Sequence, residues 1–379
     1  MKLMRRRTNI LAFALVSLSF CCFCKCDVVA APAEPPSDSN FLRPHHAQLP
    51  SNAASCAECH AVPTLGGSSR VFVIRAGQYI GGRYVGFGLD GTLHTHGQAS
   101  IHTAGLIAGS RVVLNILGDG YIEAVPDQEL LAIAKAQVKK THGKIHGEPP
   151  TVTLPECGHL TRVTGRFGWK AQHGSLLSAS ADALRSELGV PNEYFQAGLN
   201  TSRNSSVQDD ATHQELNSMV RFLRSTEPVA PDPERTATES ARAGSKIFDQ
   251  IGCSLCHVRT LKTAPPGTKM NGGTLIVSAR LGNKEIHPFS DYLLHDVGTG
   301  DGIIQNIRPQ DYDARTANKF RTAPLWGLRY RSWLMHDGKS ITYHQAIMRH
   351  AGEASDSVQQ YMRLSPIEKQ DLRLFLNSL

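Results

Sequence analysis

The stretch GCSLCHVRT, Gly252 to Thr260, sets two cysteines three residues apart with a histidine directly after the second. The same arrangement occurs once more, in SCAECHAV from Ser55 to Val62. Two thiols about one helical turn apart suit thioether bonds to the vinyl groups of a porphyrin, and the adjoining imidazole reaches iron from beneath. A zinc module would need four ligands, yet the two motifs stand roughly two hundred residues apart with no CxxC or HxxxH partner nearby. A thioredoxin-like pair would need a βαβ setting, which GSKIFDQIGCSLCH does not offer. The expectation is therefore two covalently bound haem c groups. Cys56, Cys59 and His60 would hold one, and Cys253, Cys256 and His257 the other.

The 379-residue chain opens with MKLMRRRTN and an apolar run, ILAFALVSLSFCCFC, which together read as an export signal ending at Val29-Ala30-Ala31. An uncleaved anchor is the other reading of this run, and would be the chain's one membrane contact. A lipoprotein reading through Cys21 fits less well, because the bulky Phe20 precedes it. Of nine cysteines, Cys21, Cys22, Cys24 and Cys26 leave with the signal, so the mature chain keeps the two motifs and Cys157, a spare thiol. The formal charge of +7 is concentrated at the front: Lys2, Arg5, Arg6, Arg7 and Lys25 against Asp27 place +4 in residues 1–31. The remaining charge, about +3, forms no basic footprint, which excludes nucleic acid as a partner. The localisation expected is periplasmic.

A pass along the chain finds one plan written twice. ESARAGSKIFDQI carries Ala243, Ile247, Phe248 and Ile251 at near-helical spacing into the second motif, and SPIEKQDLRLFLNSL closes the chain as a helix opened by Ser365 and Pro366. ATHQELNSMVRFLRST closes the first half in the same way. Further helices are expected at Asp127 to Lys140, Gly174 to Leu188 and Gln208 to Leu223, and a strand in SRVFVIRAGQYIGG. Pro228, Pro231 and Pro233 interrupt any helix between the halves. The fold expected is mainly α, with two cytochrome c-like domains and long loops. The divisions are a signal at 1–31, an N-terminal haem domain at 32–230, a linker at 231–238 and a C-terminal haem domain at 239–379.

The sequence resembles the bacterial di-haem cytochrome c peroxidase superfamily, and more closely its branch of di-haem oxidoreductases, also labelled thiol oxidoreductases. The resemblance rests on CAECHAVPTLGG, ILGDGYIEAVPDQELLAIA and GRFGWKAQHGSLLSASADAL in the first half. In the second half it rests on GCSLCH, FSDYLLHDVGTGDG, FRTAPLWGLRYRSWLMHDGKSITYHQAIMRHAGEAS and the closing FLNSL. The segment Ser68 to His102 matches poorly. The resemblance implies that the second haem's opposite ligand follows the His336-Asp337-Gly338 turn, at His350, with Met348 and His336 as competitors. On a helix, 348 and 350 point to different faces, so only one reaches the iron. A second histidine would hold a lower potential than methionine.

Arg321 is expected to pair with a haem propionate, and Trp326 to pack in the core. His295 and His336 would each hydrogen-bond a loop or a propionate. At the first haem, heterolysis of a peroxide needs an acid/base, for which Glu123 is the first candidate; a surface or helix-start carboxylate is its plain alternative. His94, His96 and His102 could instead cap this iron. The function expected is an exported di-haem oxidoreductase of peroxidase type. Electrons would pass from a small soluble donor protein through the second haem to a small-molecule oxidant, such as hydrogen peroxide, at the first. An electron-transfer cytochrome with both irons closed is the alternative, and long-range oxidation of a protein partner is a third reading.

Overall fold

The computed structural model describes residues 56–68, 71–86, 93–95, 105–157, 161–188, 190–195, 213–306 and 308–379. The leader, His96 and His102, and the side chain of His94, lie outside this set. The first half runs α1 (Cys56–Cys59), β1 (Phe72–Ile80), β2 (Arg83–Gly86), β3 (Leu93–Thr95), β4 (Ile107–Val112), α2 (Asp119–Glu123), α3 (Asp127–Thr141), β5 (Thr151–Thr153), β6 (Arg162–Thr164), α4 (Leu176–Leu188) and α5 (His213–Ser225). The second half begins with α6 (Pro233–Thr236) and α7 (Glu239–Gln250) and ends with α8 (Tyr343–Met348), α9 (Ser355–Arg363) and α10 (Pro366–Leu376). Between α7 and α8 the chain is loop, short 3₁₀ turns and two-residue ladders.

The expectation of a mainly α fold needs correction. Helix amounts to about 40%, and a four-stranded antiparallel sheet occupies the start of the first half. β1 is its hub, pairing with β2, β3 and β4, the last in register from Phe72 opposite Val112 to Gly77 opposite Ile107. Phe72, Val73 and Ile74 are buried, and Gly81 and Gly82, both at positive φ, make the tight turn into β2. The chain could close this sheet only by pairing β1 with segments too short or too polar to announce themselves as strands.

The helices follow their local signals. Ser365 accepts a bond from Glu368 N while the Glu368 carboxylate bonds back to Ser365 N, the reciprocal cap expected when Pro opens a helix. Thr238 caps α7 by accepting from Ala241 N. α7 and α10 cross with Gly244 at the contact, where a Cβ would run into the Asp371 carbonyl. Their apolar faces bury Ile247, Phe248, Leu372 and Phe375. In the first half α4 packs on α5, and Leu177, Ala181, Leu216 and Val220 are buried there. The largest core cluster crosses the proline-rich connection: Leu261, Leu275, Leu281 and Tyr292 pack with Ile122, Leu130, Leu177 and Val220. Within that connection Asp232 caps α6 through the Glu234 and Arg235 amides. No described helix is long and apolar enough to cross a membrane.

Candidate haem sites

Each CxxCH turn opens on its own cavity. In the second half, α7 ends at Gly252, whose left-handed φ of 86° reverses the chain into the 3₁₀ turn carrying Cys253. The His257 amide then bonds the Cys253 carbonyl at 2.9 Å, stacking the imidazole under the two thiols. His257 Nδ1–H donates to the Phe289 carbonyl at 3.0 Å, which leaves Nε2 as the nitrogen available to a metal. Burial pushes its pKa down to about 4, with His350 as the next cause, so the ring is neutral and fit to ligate.

His350 lines the same cavity as Cys253, Cys256 and His257. Its Nδ1–H donates to the Ala346 carbonyl at 2.7 Å, so this ring too offers Nε2. The competitors sit differently. Met348 is 40% exposed at the end of α8 and does not line the cavity. His336 does line it, but its Nε2–H donates to the Thr299 carbonyl at 2.8 Å while its ring stacks on Phe320 at 3.6 Å. That leaves His336 only its less accessible Nδ1. His295, read as a loop or propionate partner, is clamped by two carboxylates, Nε2 at 2.8 Å from Asp291 and Nδ1 at 2.9 Å from Glu353, with Cys256 Sγ at 3.9 Å. Asp291 is the main cause holding its pKa well above the ordinary range against burial, so the buried ring is an imidazolium. Asp291, Glu353 and His295 thus pin the attachment turn to the start of the His350 loop, where Glu353 sits.

Much of the rest of this cavity is apolar, with Ser68, Asn115, Thr299, Tyr343 and two guanidiniums among the polar groups that line it. Arg321 Nε donates to the Gly168 carbonyl at 2.8 Å, and Arg331 donates to the Pro324 carbonyl at 2.8 Å. Burial lowers the pKa of each; Arg321 lowers that of Arg331 further, while Tyr292, Asp119 and Asp291 act the other way on Arg321. A largely apolar cavity lined by two neutral imidazoles, two thiols and two guanidiniums suits a haem with anionic propionates. Arg331 stands in RYRSW, where no spacing or motif marks it as a site residue.

The first site is built from α1. The His60 amide bonds the Cys56 carbonyl at 2.9 Å, and its Nδ1–H donates to the Gly67 carbonyl at 3.2 Å. Burial lowers the His60 pKa and pushes the Cys56 thiol up to about 12. The cavity here is walled by α4 and α5 and receives Asp119, Glu187, Met219 and Arg321 beside Cys56, Cys59 and His60. Arg321 therefore lines both cavities, as does Leu114.

Glu123 lies elsewhere. It is fully buried, and its carboxylate accepts from Arg224 Nε at 2.6 Å, Arg224 NH2 at 2.9 Å, Asn271 Nδ2 at 3.2 Å and the Leu176 amide at 3.0 Å. It neutralises the positive end of α4 and ties α2 to α5, so it lines neither cavity. Of the two acids on α2 the one that lines the first cavity is Asp119, four residues earlier. Trp326 is core, as expected. Cys157, read as a spare thiol, is buried and disulfide-bonded.

The family model described as "Di-haem oxidoreductase, putative peroxidase" matches residues 95–379. The chain belongs to the di-haem oxidoreductase family. Membership implies haem cofactors and oxidoreductase chemistry of peroxidase type, and its matched span contains the whole second site and the walls of the first. No curated protein matches the sequence. Among solved structures, the chain is similar to Kuenenia stuttgartiensis hydrazine synthase, at 15% identity over 94% of this chain and 90% of that one, with a TM-score of 0.44. A MauG-like protein associated with microbial copper homeostasis matches at 20% identity over 46% of this chain and 54% of its own, with a TM-score of 0.28.

Proposed function

We propose that this di-haem oxidoreductase is exported to the periplasm, carries one covalent haem c on each CxxCH turn, and reduces a small oxidant, hydrogen peroxide, at the first haem with electrons entering at the second. The observation that carries this reading is the asymmetry of the two cavities. The second is lined by both His257 and His350, each with Nε2 available, the donor set that a closed electron-transfer iron would take. The first sets a buried carboxyl and a guanidinium beside His60, the groups that proton delivery and charge stabilisation require.

Bound haem iron would supply the electron transfer and the cleavage of the oxidant. The chain's own residues do the rest. The four cysteines fix the cofactors, and Cys253 and Cys56, both pushed up to about 12 by burial, are neutral thiols before attachment. Arg321 and Arg331 take up propionate charge. Arg321, present in both walls, ties the second site's anions to the first site's electrostatics. The balance is hydrogen peroxide plus two electrons and two protons giving two waters, with the electrons drawn one at a time from a small soluble donor protein.

One observation favours a second reading. Met219 is buried on α5 and lines the first cavity, so its thioether is a candidate to close that iron and leave an electron carrier. Expression of the full chain with a c-type maturation system decides between them by intact mass and steady-state kinetics. Our reading expects a mass gain of two haems and saturable peroxide consumption with a reduced small cytochrome as donor. Two attached haems with no peroxide consumption would establish the electron carrier.

A further inference from the structure

Asp119 is held in place by its neighbours on the chain. Gly118 before it is left-handed, at φ 82°, and donates its amide to Thr226 Oγ1 at 3.1 Å, while Gly120 after it packs so closely on the Arg224 backbone that a Cβ would not fit. These anchors fix the single turn of α2 against the end of α5 and direct the Asp119 side chain into the cavity of Cys56, Cys59 and His60. Its carboxyl hydrogen-bonds no described group, although the residue is 8% exposed. The carboxylate of Glu123, in the same turn, is bound four times over. The charged and titratable groups around Asp119 are Arg321, which favours its ionised form, Glu123, which disfavours it, and Tyr292; Glu187 and His60 share the cavity.

We propose that Asp119 is the acid/base of the first pocket, giving its proton to the departing oxygen of a bound peroxide. This rests on the reading that a small oxidant binds at the first haem. Cleavage of the O–O bond takes up two electrons, which the bound haems would supply, and the departing oxygen accepts the Asp119 proton and leaves as water. The carboxylate regains a proton from solvent, and a second proton completes the other water. Burial raises the Asp119 pKa to about 7, which suits both giving and regaining a proton near neutral pH.

The test uses the full chain with both haems and two probes, peroxide and cyanide. Hydrogen cyanide must give up its proton to a pocket base in order to ligate, so its association rate reports the base without any turnover. Asp119→Asn is expected to slow both peroxide consumption and cyanide association by roughly a hundredfold. Asp119→Glu should restore most of both, and the potential of the second haem should be unchanged in either variant. Wild-type protein that takes cyanide and reduces peroxide, with Asp119→Asn within threefold on both rates and Asp119→Glu equally indifferent, would overturn the assignment alone. Wild-type protein that takes neither cyanide nor carbon monoxide at any reduction level would overturn the underlying reading, and the assignment with it.

Discussion

His257 and His350 line one cavity, and each spends its Nδ1 proton on a backbone carbonyl, Phe289 for the first and Ala346 for the second. A loop carbonyl and a carbonyl of α8 have thus oriented two imidazoles with Nε2 available, and neither belongs to the attachment motif. A core histidine pairs both ring nitrogens, whereas each of these rings has a described hydrogen bond only at Nδ1.

Replacing His350 with Ala should open one iron, converting one low-spin haem equivalent to high spin, and should cut donor-dependent turnover by tenfold or more. His350→Met should keep that haem low-spin and raise its potential. His336→Ala should leave the spin states as they are, because the His336 Nε2–H is held by Thr299. Optical and EPR spectra of the three variants check this.

Glu123 and Arg224 form an ion pair with both side chains fully buried. Arg224→Ala leaves a charge without its main partner and should destabilise the fold by about 3–5 kcal/mol. Glu123→Gln keeps the shape and should lower thermal stability while leaving the pH profile of turnover in place. A shift of that profile by Glu123→Gln would mean that Glu123, not Asp119, handles the proton. Calorimetry and a pH–rate series on the same variants read both effects.

Gly244→Ala adds a methyl group where α7 meets the Asp371 carbonyl of α10. Overpacking at a helix crossing costs about 1–3 kcal/mol. The same change at Gly143, where nothing lies near a Cβ but φ is 80°, tests backbone strain instead. Urea melts of the two variants should show a loss in each, and only Gly244→Ala should perturb the second haem's absorption.

The Glu353 carboxyl is held down to about 2 by His295, with the His146 and Asp296 amides adding to it. A carboxylate with a depressed folded pKa contributes stability that is present above its unfolded value and is lost as pH falls through the folded one. The clamp on the attachment turn should therefore weaken between about pH 4.3 and pH 2. Glu353→Gln should flatten that acid limb in melts followed at the second haem.

The attachment turns, the helix beginnings and most helix bodies were legible because their causes are local. Ser365, Pro366 and Glu368 announce α10, and the apolar spacing of Leu216, Val220 and Leu223 announces α5. The sheet was legible only in β1, within SRVFVIRAGQYIGG, because β4 reads IAGSRV and becomes a strand only through pairing with β1. At the second site, the resemblance placed His350 ahead of Met348, and the end of α8 turns His350 inward while leaving Met348 in solvent. At the first site, two acids share the single turn of α2. Which of them faces the cavity is decided by Arg224 and Asn271, about a hundred and about a hundred and fifty residues further along, so the motif alone does not say which.

The central claim is one closed iron and one open iron in the same chain. Carbon monoxide titration of the fully reduced protein, with EPR of the oxidised form, measures it directly. The account predicts one carbon monoxide per two haems, with a bis-histidine low-spin signal that His350→Ala abolishes. Two low-spin haems and no carbon monoxide uptake would contradict it.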